Sequence, residues 1–307
     1  MLDVFLSLVP VFSLILLGAV LRRFKVLSLD GWEALERLTY FVLFPPLMFM
    51  SIVDGSFAGD EALRLAGVLG LTVLVVAGLM MLAQPWLAKT GGQFSSVFLA
   101  GIRWNAYIAL GVIAGLFGDE GRALAAVGFA VMVPINNVSS VIVMNRYAGA
   151  APASALRILR SVAIDPVIIS TVLAIVLVGL GVTAPKPIGD TLNLLGNATV
   201  SLGLICVGAA LDFVSLRGSA RAMAAGTLLR LAVMPAAAVG FCLLMGLRGM
   251  GFEVAIICVA APVATSTYIL TRQSGGDSGL MANLITLTTL LSLFTIPLTV
   301  WVAHQVQ

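Results

Sequence analysis

Val9-Pro10-Val11-Phe12-Ser13-Leu14-Ile15-Leu16-Leu17-Gly18 opens the first apolar run of the chain, and Asp165-Pro166-Val167-Ile168-Ile169-Ser170-Thr171-Val172-Leu173-Ala174 opens a later one on the same plan. The two stretches are offset by about 156 residues, and Gly118-Asp119-Glu120-Gly121 lies over Gly276-Asp277-Ser278-Gly279 at about 158. Self-similarity at that spacing predicts two halves, about 1–150 and about 160–307, with one architecture.

Composition around these stretches decides the solvent. Of 307 residues, 60% are hydrophobic and 10% charged, with a mean hydropathy of +1.11. A soluble domain carries about 25% charged residues, and one core could not bury this much apolar surface. The charges fall in short clusters between apolar runs of membrane-spanning length, so lipid covers the remainder. Hydropathy predicts about ten spans, near 3–22, 33–53, 62–83, 101–117, 123–146, 165–183, 188–211, 222–246, 252–271 and 281–303. The connections are short, so residues 1–307 read as a single transmembrane transporter domain. Five spans per half is an odd number, which forces the halves into opposite orientations and predicts an inverted repeat.

Lys and Arg alternate between loops. Odd-numbered loops hold Arg22, Arg23, Lys25, Lys89, Arg146, Arg157, Arg160, Arg217, Arg221 and Arg272; even-numbered loops hold Arg64, Arg122, Lys186 and Arg248. Because basic loops stay cytoplasmic, both termini are expected in the periplasm of a bacterial inner membrane. The basic cluster at Arg22 follows the first apolar run instead of preceding it, which predicts a retained span and not a cleaved signal.

Several chemistries are excluded by what the sequence lacks. The 17 basic residues are scattered, which argues against nucleic acid. Cys206, Cys242 and Cys258 lie in apolar runs without C-x-x-C spacing and read as core residues. There is one histidine, His304 at the C-terminal end, and no phosphate-binding Gly-x-x-x-x-Gly-Lys loop. No metal-ligand spacing or Ser-His pair exists, so no cofactor, metal or enzymatic activity is expected.

Inverted-repeat membrane proteins place their ligand at the midplane, where spans break and expose backbone and helix ends. Two spans carry the signs of breaking. The fourth is short and holds Arg103, Asn105, Tyr107, Gly111 and Gly115; the ninth holds Ala261-Pro262-Val263-Ala264-Thr265-Ser266-Thr267. Proline removes a donor and disrupts the preceding turn, and neighbouring hydroxyls satisfy freed carbonyls or contact a ligand. Arg103 is either a cavity cation or a snorkelling residue, and Arg230 and Arg272 divide the same way. Asn136, Asn137 and Asn197 either line a cavity or bond between helices. Gly111 and Gly115 also fit simple close packing.

The chain resembles the auxin efflux carrier family along essentially its whole length. The likeness rests on Val9-Pro10-Val11-Phe12 leading to Leu21-Arg22-Arg23-Phe24, on Phe44-Pro45-Pro46-Leu47, and on Arg103-Trp104-Asn105-Ala106-Tyr107-Ile108. It continues through Asp165-Pro166, Ala261-Pro262-Val263-Ala264, Tyr268 to Asp277, and Thr289 to Leu298. That resemblance implies an all-α integral membrane fold of ten helices in two inverted five-helix repeats, with helices four and nine broken and crossing. It also implies alternating-access transport of a small organic anion such as malonate, malate or an auxin-like acid, with Asn105 meeting the carboxylate. Joined to the residues read from the broken spans above, this gives a candidate substrate-binding set of Asn105, Tyr107, Gly111, Pro262, Thr265, Ser266, Asn136, Asn137 and Arg103, with Asp165 and Asp277 as the acids to test for coupling. Partners are then the organic anion and membrane lipid, with room for a homodimer. Two positions depart from the family pattern: Leu110-Gly111-Val112 stands where Gly-x-Pro is usual, and Asp165 where asparagine is expected. A sodium-coupled bile-acid-type symporter and a transporter-derived sensor are the alternatives.

Overall fold

The computed structural model describes residues 2–55, 59–149, 156, 160, 162–182, 185–212 and 219–306. Among these residues all regular structure is helical, apart from one isolated antiparallel bridge between Trp104 and Val263. Besides the single turn Gln84–Leu87, the helices described in the first half are α1 (Leu2–Arg23), α2 (Leu29–Val53), α3 (Gly59–Leu82), α4 (Gly91–Ile102) and α5 (Ala106–Tyr147). The second half has α6 (Pro166–Gly179), α7 (Lys186–Ala210), α8 (Ala220–Met245), α9 (Gly249–Ala260), α10 (Ser266–Gln273) and α11 (Ser278–Val306).

Among the described residues seven helices are long and apolar enough to cross a membrane: α1, α2, α3, α5, α7, α8 and α11. Their outward faces carry large apolar side chains, such as Leu6, Val9, Leu16 and Leu17 on α1 and Leu63, Leu74 and Leu79 on α3. On a water-soluble protein that much exposed apolar surface would drive association; here it is the surface for acyl chains. Helix α6 is apolar but shorter, and Ile169, Val172, Leu173 and Val176 face outward from it.

Local sequence explains the breaks in regularity. Gly118 adopts φ 58° and ψ −139°, a conformation open to glycine, and turns α5 into two arms, 106–117 and 119–147. Pro45 and Pro46 offer no N–H, and the turn before them widens into a π segment over Thr39–Leu43. The Thr199 hydroxyl from α7 donates to the Leu43 carbonyl there at 2.8 Å. Pro235 follows a second π segment, Leu229–Val233, in α8. Helices α1 and α7 approach backbone to backbone: a side chain on Gly18 would strike the Ile205 carbonyl, and one on Gly208 the Ile15 carbonyl.

Residues 91–102 correct the hydropathy reading, which left them in a loop and began a span at 101. They form α4, capped by the Thr90 hydroxyl on the Gln93 N–H at 3.2 Å. Gly91, Gly92, Gln93, Ser95 and Ser96 depress the hydropathy of a helix in which Phe94 through Ile102 are all buried in protein. The predicted ninth span, 252–271, is two helices, α9 and α10, with an extended stretch between them.

Candidate functional site

Two helix interruptions meet inside the molecule. After α4 the backbone is extended at Arg103 (φ −88°, ψ 112°) and Asn105 (φ −85°, ψ 101°); after α9 it is extended at Ala261 (φ −60°, ψ 144°). The stretches pair reciprocally. Asn105 N–H donates to the Pro262 carbonyl at 2.8 Å, and Ala264 N–H donates to the Arg103 carbonyl at 3.2 Å. Thr288 Oγ1 of α11 accepts from the Val263 N–H at 3.2 Å. These bonds satisfy backbone groups that would otherwise be orphaned in an apolar interior.

Asn105 starts the next helix. Its Oδ1 accepts from the N–H groups of Tyr107 and Ile108, both at 3.1 Å, and the residue is buried. The paired position in the second interruption is Ala264, so one of the two restarts has an amide cap and the other does not. Asn105→Ala is expected to cost about 1 kcal/mol, read as a lower thermal midpoint in detergent, with Asn105→Ser recovering most of it.

The ends of the preceding half-helices are held by a buried cation. Arg230, in the α8 π segment, is fully buried. Its Nη1 donates to the Gly101 carbonyl at 3.0 Å, and its Nη2 donates to the Val259 carbonyl. Both acceptors lie in last turns, where carbonyls lack intrahelical partners and the helix dipole is negative. Asn136 Nδ2 adds a bond to the Ile102 carbonyl at 3.0 Å.

A cavity of about 80 Å³ surrounds the paired interruptions. Its polar lining comes from Glu36, Tyr40, Arg103, Asn105, Tyr107, Asn136, Asn137, Thr265 and Ser266, and its aromatic walls from Phe44, Trp104 and Phe129. Phe44 meets the Tyr107 ring edge-on at 5.5 Å between centroids, and Trp104 lies 5.4 Å from Phe129. One polar chain crosses the site: Arg103 Nη1 donates to Asn137 Oδ1 at 3.2 Å, Asn137 Nδ2 to Asp165 Oδ2 at 3.2 Å, and Tyr40 OH to the same Oδ2 at 3.2 Å. Asp165 Oδ1 meanwhile caps α6 through the Val167 and Ile168 N–H groups. Asn137 thus stands between Arg103 and the nearest acid of that chain, and the guanidinium has no direct ion pair among the described residues.

Unused hydrogen-bonding capacity concentrates here. Arg103 Nε, Trp104 Nε1, Tyr107 OH and Asn136 Oδ1 are buried without a partner, four of eleven such side-chain atoms among the described residues. Three of the four are donors, and buried donors without acceptors are rare enough to call for an explanation.

Two further cavities flank this one at opposite ends of α2. Beyond Glu36 lies a vestibule of about 280 Å³ lined by Arg22, Glu33, Cys206, Asp212, Tyr268 and Arg272, with Glu36 and Thr265 facing both spaces. Toward the other end of α2 a polar space of about 300 Å³ is lined by Asp54, Asp119, Arg122, Asn193 and Asn197.

Seven of the nine sequence-derived binding candidates, Arg103, Asn105, Tyr107, Asn136, Asn137, Thr265 and Ser266, therefore line one cavity. Pro262 contributes its carbonyl to the pairing of the interruptions. Gly111 lies inside the first arm of α5, against Val11 and Leu204, and lines a separate space. Asp165 touches the chain of polar groups behind Arg103, whereas Asp277 caps α11 through the Leu280 N–H at 2.9 Å, beside Gly92 and Ser96. The sequence reading missed Glu36, Tyr40 and Phe44; their spacing of four residues, which places them along one helical face, was the available signal.

The profile of the membrane transport protein family matches residues 3–301. The chain belongs to the auxin efflux carrier family of membrane transport proteins. It is similar to an uncharacterized transporter of Methanothermobacter thermautotrophicus, 26% identical over 297 residues that cover 95% of this chain and 96% of the relative. The uncharacterized transporter MJ1031 of Methanocaldococcus jannaschii is also 26% identical, over 301 residues and the same shares. YfdV of Escherichia coli K12, again an uncharacterized transporter, is 24% identical over 283 residues, 87% of each chain. As a member of the auxin efflux carrier family the chain is a multi-pass membrane transporter.

Proposed function

We propose that this carrier moves a small organic anion, a carboxylate of the size of malonate or malate, by alternating access through the cavity at the paired interruptions. The observation that carries the reading is a cavity lined by a guanidinium without an ion pair among the described residues and by three partnerless donors, Arg103 Nε, Trp104 Nε1 and Tyr107 OH. A carboxylate supplies the acceptors these groups lack. Helices α5 and α10 both begin at this cavity, and their positive dipole ends favour the same charge. At about 80 Å³ the cavity is of a size for a small ligand and not for a bulky one.

Once the fourth span is extended back to take in α4, ten spans follow with α4 and the first arm of α5 as span four, the second arm as span five, and α9 with α10 as span nine. The two interruptions pair at Trp104 and Val263, 159 residues apart and close to the offset of the repeated sequence stretches, which supports an inverted repeat. On this reading α1, α2, α6 and α7 form a scaffold and the remaining helices a bundle that rocks against it. Positive-inside counting puts the vestibule of Arg22 and Arg272 at the cytoplasm and both termini in the periplasm. Glu36 and Thr265, which line both spaces, stand between the vestibule and the cavity.

Thermal stabilisation of the purified carrier tests the ligand class, with malonate, malate and indole-3-acetate offered at varied sodium and pH. Native-state binding at a hundred times Kd adds about 2.7 kcal/mol of stability, so a saturable rise in midpoint with one carboxylate is expected. A rise with sodium or a neutral solute, and none with any carboxylate, would overturn the organic-anion reading.

A further inference from the structure

We infer that Glu36 is a proton-binding site at the partition between the cavity and its vestibule, and that each anion crosses together with a proton bound there. This deepens the organic-anion reading and rests on it. Glu36 and Thr265 are the two residues that line both spaces, so anything passing between them passes the Glu36 carboxyl. That carboxyl has one hydrogen bond among the described residues, from Thr265 Oγ1 to Oε1 at 3.0 Å. Thr265 sits at the restart of the second interrupted helix, so the bond ties α2 to the interruption across the route.

The other acids near the site are differently engaged. Asp165 accepts from two side chains and two backbone N–H groups, which makes it an anchor for α2, α5 and α6. Asp277 accepts from a helix N-terminus away from the cavity. Facing Glu36 are Glu33 on its own helix, Arg22 from α1, Tyr107 from α5, Cys206 and Asp212 at the end of α7, Tyr268 and Arg272 from α10, and Arg103 across the cavity. Arg22 donates to the Ala209 carbonyl at 2.5 Å, and no basic side chain ion-pairs with Glu36 among the described residues.

An ionised Glu36 would oppose a carboxylate entering a space this small, since like charges at close range are screened poorly away from bulk water. A proton taken up from the acidic side turns Glu36 into a neutral acid that can donate to Thr265 or to the ligand. The site then holds the Arg103 cation and the anion. When the anion leaves on the other side the proton leaves with it, and the carboxylate re-forms its bond with Thr265. One proton enters and one departs per cycle.

The test uses the full chain in liposomes at zero membrane potential, with labelled malonate and malate as probes. Wild type should exchange label with internal anion at equal pH. With the anion-source side acidified it should accumulate label about tenfold for each pH unit, the ratio set by one proton per anion. Glu36→Gln should exchange but no longer concentrate label. Independently, dicyclohexylcarbodiimide, which couples to protonated carboxyls in apolar surroundings, should modify Glu36 of the wild type in a malonate- or malate-protected manner, read by peptide mass. Exchange without any response to the pH difference overturns the inference and leaves the anion reading standing, as does a Glu36→Gln variant that concentrates label like wild type. No exchange of either probe by wild type overturns both.

Discussion

Arg103→Gln is expected to weaken carboxylate binding roughly tenfold to a hundredfold, because a charge-assisted hydrogen bond contributes about 1.5–3 kcal/mol. The residue is suited to that loss. Its Nη1 bond to Asn137 is neutral at the far end, its Nε has no partner, and Asn137 keeps Asp165 from pairing with it directly. Glutamine preserves much of the bulk and one donor while removing the charge, so the fold should persist and the half-saturating concentration for anion exchange should rise. Arg103→Lys keeps the charge without the planar fork and should fall between the two. Equal affinity in Arg103→Gln and wild type would remove Arg103 from the site.

Arg230→Met should cost more in stability than any other substitution considered. Two last-turn carbonyls, those of Gly101 and Val259, lose their donor, at about 1–3 kcal/mol for each buried group left unsatisfied. Relief of the buried charge offsets part of that, leaving a net loss of about 2–4 kcal/mol. The loss should appear as a lower unfolding midpoint in detergent, and Arg230→Lys, with one ammonium for two carbonyls, should recover only part of it. A midpoint equal to wild type would mean that the ends of α4 and α9 are secured by other contacts. The variant also separates roles: Arg230 does not line the cavity, so the fraction that folds should still bind carboxylate.

Legibility in the sequence followed the range of the forces involved. Hydropathy registers twenty-residue apolar runs, so α1, α3, α7, α8 and α11 were visible within a few residues. It failed at α4, where glycine and serine sit in a helix shielded by protein instead of lipid. The break at 261–265 was legible because Pro262 removes a donor. The break at 103–105 has no proline or glycine of its own; the extended stretch is held by Asn105 capping the next helix and by bonds to the partner stretch, a long-range arrangement that local propensity does not encode. Of the nine residues singled out near the breaks and in the neighbouring spans, seven line one cavity. Glu36 escaped because a face of residues four apart indicates that a helix is amphipathic but not what it meets. Arg230 was read as a cavity cation or a snorkelling residue and is neither: it is fully buried outside the cavity lining, and its two carbonyl acceptors come from helices in different halves of the chain, which no local pattern encodes.

Equilibrium exchange in liposomes loaded with unlabelled malonate or malate tests the central claim most directly, since exchange needs a site that faces each side in turn and no driving gradient. The account predicts saturable uptake of the labelled anion, blocked by excess unlabelled anion and lowered in affinity by Arg103→Gln. Uptake that does not saturate, or that proceeds equally in empty and loaded vesicles and in the Arg103→Gln variant, would contradict it.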